Sequence, residues 1–126
     1  MRTRSRRRAE RDGRLAETLA AIWLRLKGYR ILARRLKTPV GEIDILARRG
    51  AVIAVVEVKV RRDRSAAAQA ITPRQWHRLA RAAGWVLAHR PEWAGLSLRF
   101  DALLLARGRL PQHVADAWRP EWNSVS

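Results

Sequence analysis

Five consecutive apolar residues place the tightest limit on how this chain can fold. Val-Ile-Ala-Val-Val occupies positions 52–56, within a predicted strand over 51–60 that is rich in β-branched residues. The five residues do not alternate with polar ones, so the pattern predicts a strand buried on both faces, as in a sheet covered by helices. Glu57 and Lys59 interrupt the apolar pattern and are the first candidates for chemistry.

A helix and further strands are predicted around this run. Positions 11–27 have helical spacing, and the large apolar residues among them share one face of that helix: Leu15, Leu19, Ile22, Trp23 and Leu26. Strands are expected at 29–36, 42–47 and 97–105, and a short segment at 113–117 has the pattern of an edge strand.

A second helix has clear ends. Thr72 can cap its first turn, Pro73 fits the first helical position, Gln75 completes a capping box, and Pro91 ends the helix. The resulting order, α-β-β-β-α-β, predicts an α/β domain.

Length and composition fit one domain with a basic arm. The 126 residues suit a single domain, placed at residues 10–126. Residues 1–9 contain five arginines and are expected to form a disordered arm.

The chain has no cysteine, which excludes disulfides and thiolate metal sites. No apolar run approaches the ~20 residues of a membrane span, and the acidic residues at positions 10 and 12 stand where a signal peptide needs apolar ones, so a cytoplasmic location is expected.

The charge of the chain predicts a polyanionic partner. Lys and Arg total 27 against 11 Asp and Glu, a net charge of +16, and nucleic acid is the partner that such a balance favours over a membrane surface. Arginine outnumbers lysine 24 to 3, so biased codon usage and association with RNA or the ribosome are alternatives. The candidates for phosphate contacts are Arg61, Arg74, Arg78 and Arg81, with Arg6, Arg7 and Arg8 of the arm. A solvated charged face is the alternative for each.

Three carboxylates and a lysine are expected at neighbouring positions of two strands. Residues two apart in a strand share a face, so Glu42 shares one with Asp44, and Glu57 shares one with Lys59. A two-residue turn at Arg49–Gly50 would pair Glu42 with Glu57 and bring Asp44 beside them. Other loop lengths would slide this register by a residue or two.

Such an arrangement favours a divalent cation. Neighbouring carboxylates repel one another, and a bound cation reverses the sign of that effect. Without cysteine, oxygen ligands point to Mg²⁺ or Mn²⁺. Lys59 would then orient a water or balance charge on a phosphate. An ordinary ion pair is the better interpretation of Glu57 and Lys59 alone, whereas their combination with Glu42 and Asp44 in a basic chain favours the metal site.

Four segments resemble one bacterial family. The sequence is Gly-Glu-Ile-Asp-Ile-Leu-Ala at 41–47, Val-Val-Glu-Val-Lys-Val-Arg at 55–61, Ala-Ile-Thr-Pro-Arg-Gln at 70–75 and Arg-Phe-Asp at 99–101. Their order and spacing are similar to those of the YraN-like proteins, over about residues 11–118. That family is grouped with the PD-(D/E)XK nucleases, near the archaeal Holliday-junction resolvases. The resemblance implies a restriction-endonuclease-like core, a central mixed β-sheet flanked by helices.

The resemblance also implies roles for individual residues. Asp44 and Glu57 would be metal ligands, assisted by the backbone carbonyl of Val58, and Lys59 would be the catalytic lysine. Glu17 stands where resolvase-like relatives carry a glutamate on the first helix. It would reach the site only if the weaker, alanine-containing face of that helix meets the sheet, and an exposed glutamate is the alternative.

The expected function is therefore structure-selective cleavage of branched or structured DNA, dependent on Mg²⁺ or Mn²⁺. Resolvases act as symmetric dimers, so the resemblance also allows a homodimer. A non-catalytic nucleic-acid- or ribosome-associated protein that keeps the nuclease fold is the alternative. Asp101 is either a supporting partner of the site or a satisfied strand carboxylate.

Overall fold

The described part of the chain forms two α-helices and five strands, in the order α-β-β-β-α-β-β. The computed structural model describes the backbone of residues 2–61 and 71–123 and the side chains of residues 13–61 and 71–121. In chain order the elements are α1 (Arg2–Leu26), β1 (Arg30–Thr38), β2 (Gly41–Arg49), β3 (Val52–Arg61), α2 (Pro73–Ala88), β4 (Ser97–Ala106) and β5 (Gln112–Trp118), with short 3₁₀ helices at Pro91–Trp93 and Pro120–Asn123. The predicted α/β class is confirmed, and the predicted edge segment at 113–117 belongs to β5.

β3 lies in the middle of a mixed five-stranded sheet. The strand order is β1-β2-β3-β4-β5, in which β3 and β4 are parallel and all other neighbours are antiparallel. Ile53 and Val55 pack on the α2 side, Ala54 and Val56 pack on the α1 side, and all four are at most 1% exposed. The apolar run is therefore buried on both faces as predicted, and the architecture is consistent with a restriction-endonuclease-like core.

α2 begins at the predicted capping box. The Thr72 hydroxyl accepts a hydrogen bond from the Gln75 amide at 3.2 Å, and Gln75 Oε1 accepts one from the Thr72 amide at 2.9 Å. Pro73 is the first helical residue. These contacts satisfy amide groups that the first turn would leave without partners, and they fix where the chain turns back between the parallel strands β3 and β4.

α1 packs on the sheet through a different face from the one predicted. The buried residues are Ala16, Ala20, Ala21 and Leu24, whereas Leu15, Leu19, Ile22 and Leu26 are exposed and Trp23 is partly buried. Ala20 and Ala21 pack in one cluster with Ala47 and Ala54 of the sheet, and their small side chains allow a close approach that leucines would prevent. The spacing predicts an amphipathic helix correctly, but the face with the large apolar residues is not the one that packs on the sheet.

The described backbone of α1 includes residues 2–9, the segment expected to be a disordered arm. Arginine and alanine are strong helix formers, and neither glycine nor proline occurs before Gly13. The side chains of residues 1–12 lie outside the described residues, and the division of the chain between residues 9 and 10 stays a prediction. No helix of the described chain combines the length and the apolarity needed to cross a membrane.

Candidate active site

The hairpin of β2 and β3 has a register that differs from the predicted one. Its two-residue loop is Gly50–Ala51, with Gly50 in the left-handed region at φ 61°, and the turn is not at Arg49–Gly50. Moving the loop by one residue changes every cross-strand partner by two positions. The observed register, continued past its last pair, brings Asp44 level with Glu57, so the predicted pairing of Glu42 with Glu57 is wrong.

β2 is irregular at Asp44, and the irregularity holds the carboxylate between two strands. Ile43 packs on the α2 side of the sheet and Ile45 on the α1 side, although residues two apart in a regular strand share a face. The pairing of β2 with β3 ends at Ile45 and Val56. The amide of Val58 donates instead to Asp44 Oδ2 at 2.9 Å, so a side chain takes the place of a main-chain acceptor.

Asp44 and Glu57 form a coupled acidic pair. Burial raises the pKa of Asp44, against the hydrogen bond from the Val58 amide. Burial and the neighbouring Asp44 charge raise the pKa of Glu57 to about 8. Lys59 Nζ lies 3.7 Å from Glu57 Oε1 and offsets part of this effect. In the absence of a cation the pair holds a proton at neutral pH, because two close carboxylates with little solvent cannot both ionise.

Glu17 of α1 faces the same site. It is 5% exposed, because α1 packs on the sheet through its alanine face. Arg35 Nε donates to Glu17 Oε2 at 2.9 Å, and Arg34 Nε lies 3.5 Å from Glu17 Oε1. The Glu17 charge also raises the pKa of Asp44, after burial as the larger cause. Glu17 and Asp44 line a common pocket of about 160 Å³, so the weaker helix face does bring Glu17 to the sheet.

Glu42 lines that pocket as an exposed residue, opposite Lys37 of β1. Over residues 13–61 and 71–121, no three His, Cys, Asp or Glu side chains are grouped so that they could hold a metal ion by themselves. The expected convergence of Glu42 with Asp44 and Glu57 is therefore wrong. A cation here would take further ligands from water or from a phosphate, as Mg²⁺ commonly does.

Asp44, Glu57 and the main chain of Val58 nevertheless fit a hard divalent cation. A strand residue directs its N–H and its C=O to the same side, so the Val58 carbonyl faces the side on which its amide meets Asp44. Two carboxylates and a carbonyl are the oxygen donors that Mg²⁺ and Mn²⁺ prefer. The raised pKa values of both carboxyls reflect burial and repulsion that a cation would relieve.

The predicted phosphate contacts are exposed. Arg74, Arg78 and Arg81 are exposed on α2, and Arg61 lies at the end of β3. The Arg78 side chain packs over the start of β2, because a Cβ built on Gly41 would lie 3.1 Å from Arg78 Cγ. That contact places Arg78 at the end of the sheet that carries Asp44. The side chains of Arg6, Arg7 and Arg8 are outside the described residues.

Asp101 is a satisfied buried carboxylate and not a member of this pocket. It is 0% exposed and accepts hydrogen bonds from Arg99 Nε at 2.8 Å, from His113 Nε2 at 2.7 Å and from the Asp116 amide at 2.9 Å. Burial alone would raise the pKa of Asp101, but these hydrogen bonds lower it to about 2. Its role as a strand carboxylate with internal partners is the interpretation that the geometry supports.

Arg35 is a pocket residue that the sequence pattern does not indicate. As one of two adjacent arginines in β1, it has the pattern of an ordinary solvent-facing position. Its φ is 50°, a left-handed conformation that residues other than glycine rarely adopt, and its side chain lines the pocket with Asp44 and Glu17. No local sequence signal reports such a backbone conformation at an arginine.

Several known proteins similar to this chain belong to one family. The model of the group described as "Uncharacterised protein family UPF0102" matches residues 16–105. A UPF0102 protein of Parvibaculum lavamentivorans is 59% identical over 112 residues, which cover 89% of this chain and 84% of the relative. A UPF0102 protein of Paramagnetospirillum magneticum is 50% identical over 121 residues, which cover 93% of this chain and 94% of the relative. A third, from Caulobacter vibrioides, is 53% identical over 110 residues, with coverage of 87% and 88%. The chain therefore belongs to the UPF0102 family, as its resemblance to the YraN-like proteins predicts.

Proposed function

We propose that this UPF0102 protein is a cytoplasmic endonuclease that uses Mg²⁺ or Mn²⁺ to hydrolyse phosphodiester bonds in branched or structured DNA. The observation that carries the proposal is the acidic pair Asp44 and Glu57 at the gap between β2 and β3, with Lys59 Nζ 3.7 Å from Glu57. Groups whose pKa values are shifted by burial and by a specific neighbour are typical of functional sites. The same three residue types in this order are the motif of the nuclease superfamily that the chain resembles.

The position of each residue suggests its task. Asp44, Glu57 and the Val58 carbonyl would hold the cation, which when bound lowers the pKa of a water and offsets charge on the phosphate. The Val58 amide keeps the Asp44 carboxylate in place before any ligand arrives. The Lys59 ammonium has three N–H donors and lies beside Glu57. Its donors that do not face Glu57 would orient the attacking water or a phosphate oxygen.

Glu17 and Arg35 would position the substrate beside this pair. Arg35 donates to Glu17 from its Nε atom. No described residue accepts a hydrogen bond from the two terminal nitrogens of Arg35. We propose that these nitrogens contact a phosphate oxygen, which guanidinium groups bind well. In this arrangement Glu17 fixes the arginine, and Arg35 contacts the substrate.

The rest of the surface suits recognition of a nucleic-acid backbone. With a net charge of +16, the chain attracts phosphates independently of base sequence. Arg61, Arg74, Arg78 and Arg81 would supply phosphate contacts around the site. Two symmetric cuts in a branched substrate need two active sites, so we expect two copies of the chain on one junction.

A non-catalytic nucleic-acid- or ribosome-associated protein is the second candidate. The observation that favours it is the exposed arginine row of α2, which could bind phosphates whether or not the acidic pair is functional. The two candidates differ in one property: whether a bound phosphodiester is cleaved.

A cleavage assay on a four-way DNA junction tests the proposal. We expect the full chain to cut the junction with Mg²⁺ or Mn²⁺, and Asp44→Ala or Lys59→Ala to lower the rate at least ~100-fold, since a positioned proton-transfer or water-orienting group contributes about that much. Glu92→Ala is the matched control: it removes a carboxylate that is 55% exposed and lies on a different part of the chain. Its rate should stay unchanged.

Junction binding measured on the same proteins separates the two candidates. Binding without cleavage by the unmutated chain in both cations, with equal affinity in Asp44→Ala, would support the non-catalytic function and contradict the nuclease.

A further inference from the structure

A row of exposed apolar residues runs along α1. Leu15, Leu19, Ile22 and Leu26 follow at intervals of four, three and four residues, the spacing of one helix face. They are 58%, 47%, 46% and 77% exposed. Single exposed leucines are ordinary, but four on one helix face form a contiguous apolar patch, and such patches mark contact surfaces.

The first three residues of this row line a groove of about 930 Å³, here called the α1 groove. Further apolar lining comes from Leu105 near the end of β4 and from Pro111 before β5. Two residues, Ala16 and Val60, line both the α1 groove and the pocket of the candidate active site. The groove therefore borders that pocket directly.

Positive charge accompanies this apolar surface. Arg61, Arg107 and Arg109 line the α1 groove and are exposed. Within the described ranges, none of the three forms an ion pair with a carboxylate, and no Asp or Glu lines the groove. An occupant would thus meet apolar side chains together with arginines to which the described residues offer no carboxylate.

Charge and polarity decide between the classes of occupant. A second copy of the chain would bring these arginines against an equally basic surface, and juxtaposed like charges oppose binding. Nucleic acid suits the arginines but not the leucines, because polar groups lose hydration against an apolar surface without gaining hydrogen bonds. An amphipathic helix with acidic residues beside its apolar face matches both features.

We propose that the α1 groove binds an acidic amphipathic helix of a partner protein. The apolar face of that helix packs along Leu15, Leu19 and Ile22, and its carboxylates pair with Arg107 and Arg109. This interaction is additional to the proposed nuclease function and does not depend on it. A helix bound there contacts Ala16 and Val60 and so borders the active-site pocket, where it can alter access of the substrate.

Designed peptides provide a defined probe. The first is a fluorescein-labelled helix of about 18 residues, with leucines at intervals of four, three and four positions and glutamates beside them. The second has the same composition in scrambled order, and the third carries lysine in place of glutamate. By fluorescence anisotropy on the full chain at physiological ionic strength, we expect the first peptide to bind at least ~10-fold more tightly than the second, and the third not to bind.

Two pairs of variants locate the binding surface. Leu19→Ser/Ile22→Ser should weaken binding of the first peptide at least ~10-fold. Val40→Ser changes an apolar residue of the β1–β2 turn that is 40% exposed, and it should change the affinity less than ~2-fold. Arg107→Ala/Arg109→Ala should weaken binding similarly, whereas Arg74→Ala/Arg81→Ala removes the same charge from α2 and should not. All the substituted residues are exposed, so the variants should fold, and their melting temperatures check this.

Several outcomes would overturn the proposal. One is equal affinity for the patterned and scrambled peptides, and another is unchanged affinity in both groove variants. A dimer in sedimentation that Leu19→Ser/Ile22→Ser converts to a monomer would assign the groove to a second copy. Loss of DNA binding in that variant, with Val40→Ser unaffected, would assign it to nucleic acid. None of these measurements requires cleavage, so failure here is distinct from failure of the nuclease proposal.

Discussion

Asp44 serves the backbone and the proposed chemistry with one carboxylate. Its Oδ2 accepts the Val58 amide at the point where β2 and β3 stop pairing, so the main chain itself determines where the side chain lies. A carboxylate side chain that is already held in place loses little conformational entropy when a cation binds to it. The same burial raises its pKa beside Glu57. The arrangement that we propose for metal binding thus carries an electrostatic cost in the cation-free fold.

We expect Asp44→Asn to abolish stabilisation by Mn²⁺ without destabilising the cation-free protein. Asparagine can still accept the Val58 amide, while loss of the charge relieves repulsion with Glu57. In the unmutated protein, Mn²⁺ should raise the melting temperature, because a ligand that binds only the folded state adds about 2.7 kcal/mol at 100 times its dissociation constant. Thermal melting at pH 7 with and without Mn²⁺ measures both effects.

Two further variants make this comparison specific. Lys59→Ala keeps both carboxylates, so it should keep the Mn²⁺ shift while losing cleavage. Glu92→Gln removes an exposed carboxylate and should leave the shift unchanged. A Mn²⁺ shift of full size in Asp44→Asn would contradict the assignment of Asp44 as a ligand.

Glu57 should make the cation-free protein less stable as the pH rises. Its pKa is about 8 in the folded chain against 4.5 for a free glutamate, so between these values the folded state holds a proton that the unfolded state has lost. Raising the pH through this window therefore favours unfolding. Glu57→Gln cannot titrate, and its melting temperature relative to the unmutated protein should increase from pH 5 to pH 8. Melting in a chelator measures this, and a difference that is flat with pH would contradict it.

At single positions, the sequence is informative where chemistry depends on local spacing. Glu57 and Lys59 could be placed together because residues two apart in a regular strand share a face. Asp44 was proposed from the same rule and from the family resemblance, although β2 is irregular at that position. The burial of Glu17 could not be predicted from the sequence, because it depends on which face of α1 packs on the sheet. Arg35 gave no signal, since its left-handed backbone conformation has no counterpart in residue type.

Among the elements, α1 shows why periodicity alone is insufficient. Its spacing indicates an amphipathic helix, but a leucine face and an alanine face lie side by side on it. The leucine face offers more apolar area, whereas the alanine face allows closer approach to Ala47 and Ala54, and the close approach prevails. The elements with explicit end signals were easier: the capping box at Thr72 fixes the start of α2, and the apolar run fixes β3 as the central strand. The hairpin loop, which carries no strong turn pair, was misplaced by one residue.

A polar network around the buried Asp101 ties β4 and β5 to Lys27 and Tyr29, which lie between α1 and β1. Lys27 Nζ lies 2.5 Å from His113 Nδ1, His113 Nε2 lies 2.7 Å from Asp101 Oδ2, and Arg99 links Asp101 to Tyr29. A lysine ammonium can only donate, so His113 accepts at Nδ1 and donates from Nε2 to Asp101. The network therefore anchors the edge strand β5 through one carboxylate.

Asp101→Ala should destabilise the protein by about 3–5 kcal/mol at pH 7, because it leaves the buried partners of Asp101 without their acceptor. Since the pKa of Asp101 is about 2 in the folded chain, this contribution is present above pH 4 and is lost as the pH falls toward 2. Urea unfolding measures the change, with Glu92→Ala as an exposed control that should stay within about 0.5 kcal/mol. Equal stability of Asp101→Ala and the unmutated protein at pH 7 would contradict this role.

On the scale of the whole molecule, the two sides of the sheet carry different surfaces. The α1 side holds Glu17, the acidic pocket and the α1 groove, and the α2 side holds the row Arg74, Arg78 and Arg81. The α/β class could be predicted from the order of elements, and a polyanionic partner is expected from the net charge. Neither property reveals that Arg78 packs against Gly41 and so brings the arginine row to the end of the sheet that carries Asp44. That juxtaposition depends on the crossover of α2 between parallel strands.

If DNA binds at the end of the sheet that carries Asp44, the arginines at that end should account for most of the salt dependence of DNA binding. Each phosphate contact contributes about 0.9 to the slope of log K against log salt concentration, so Arg74→Ala/Arg78→Ala should flatten the slope by about 1–2. Deletion of residues 1–9, which contain five arginines, should flatten it as well. Arg48→Ala/Arg90→Ala removes the same charge near the opposite end of the sheet and should leave the slope within experimental error. Binding isotherms at several salt concentrations measure each slope. Because all variants keep Asp44 and Glu57, an equal slope change in the two double variants would mean that the net charge attracts DNA without a defined face.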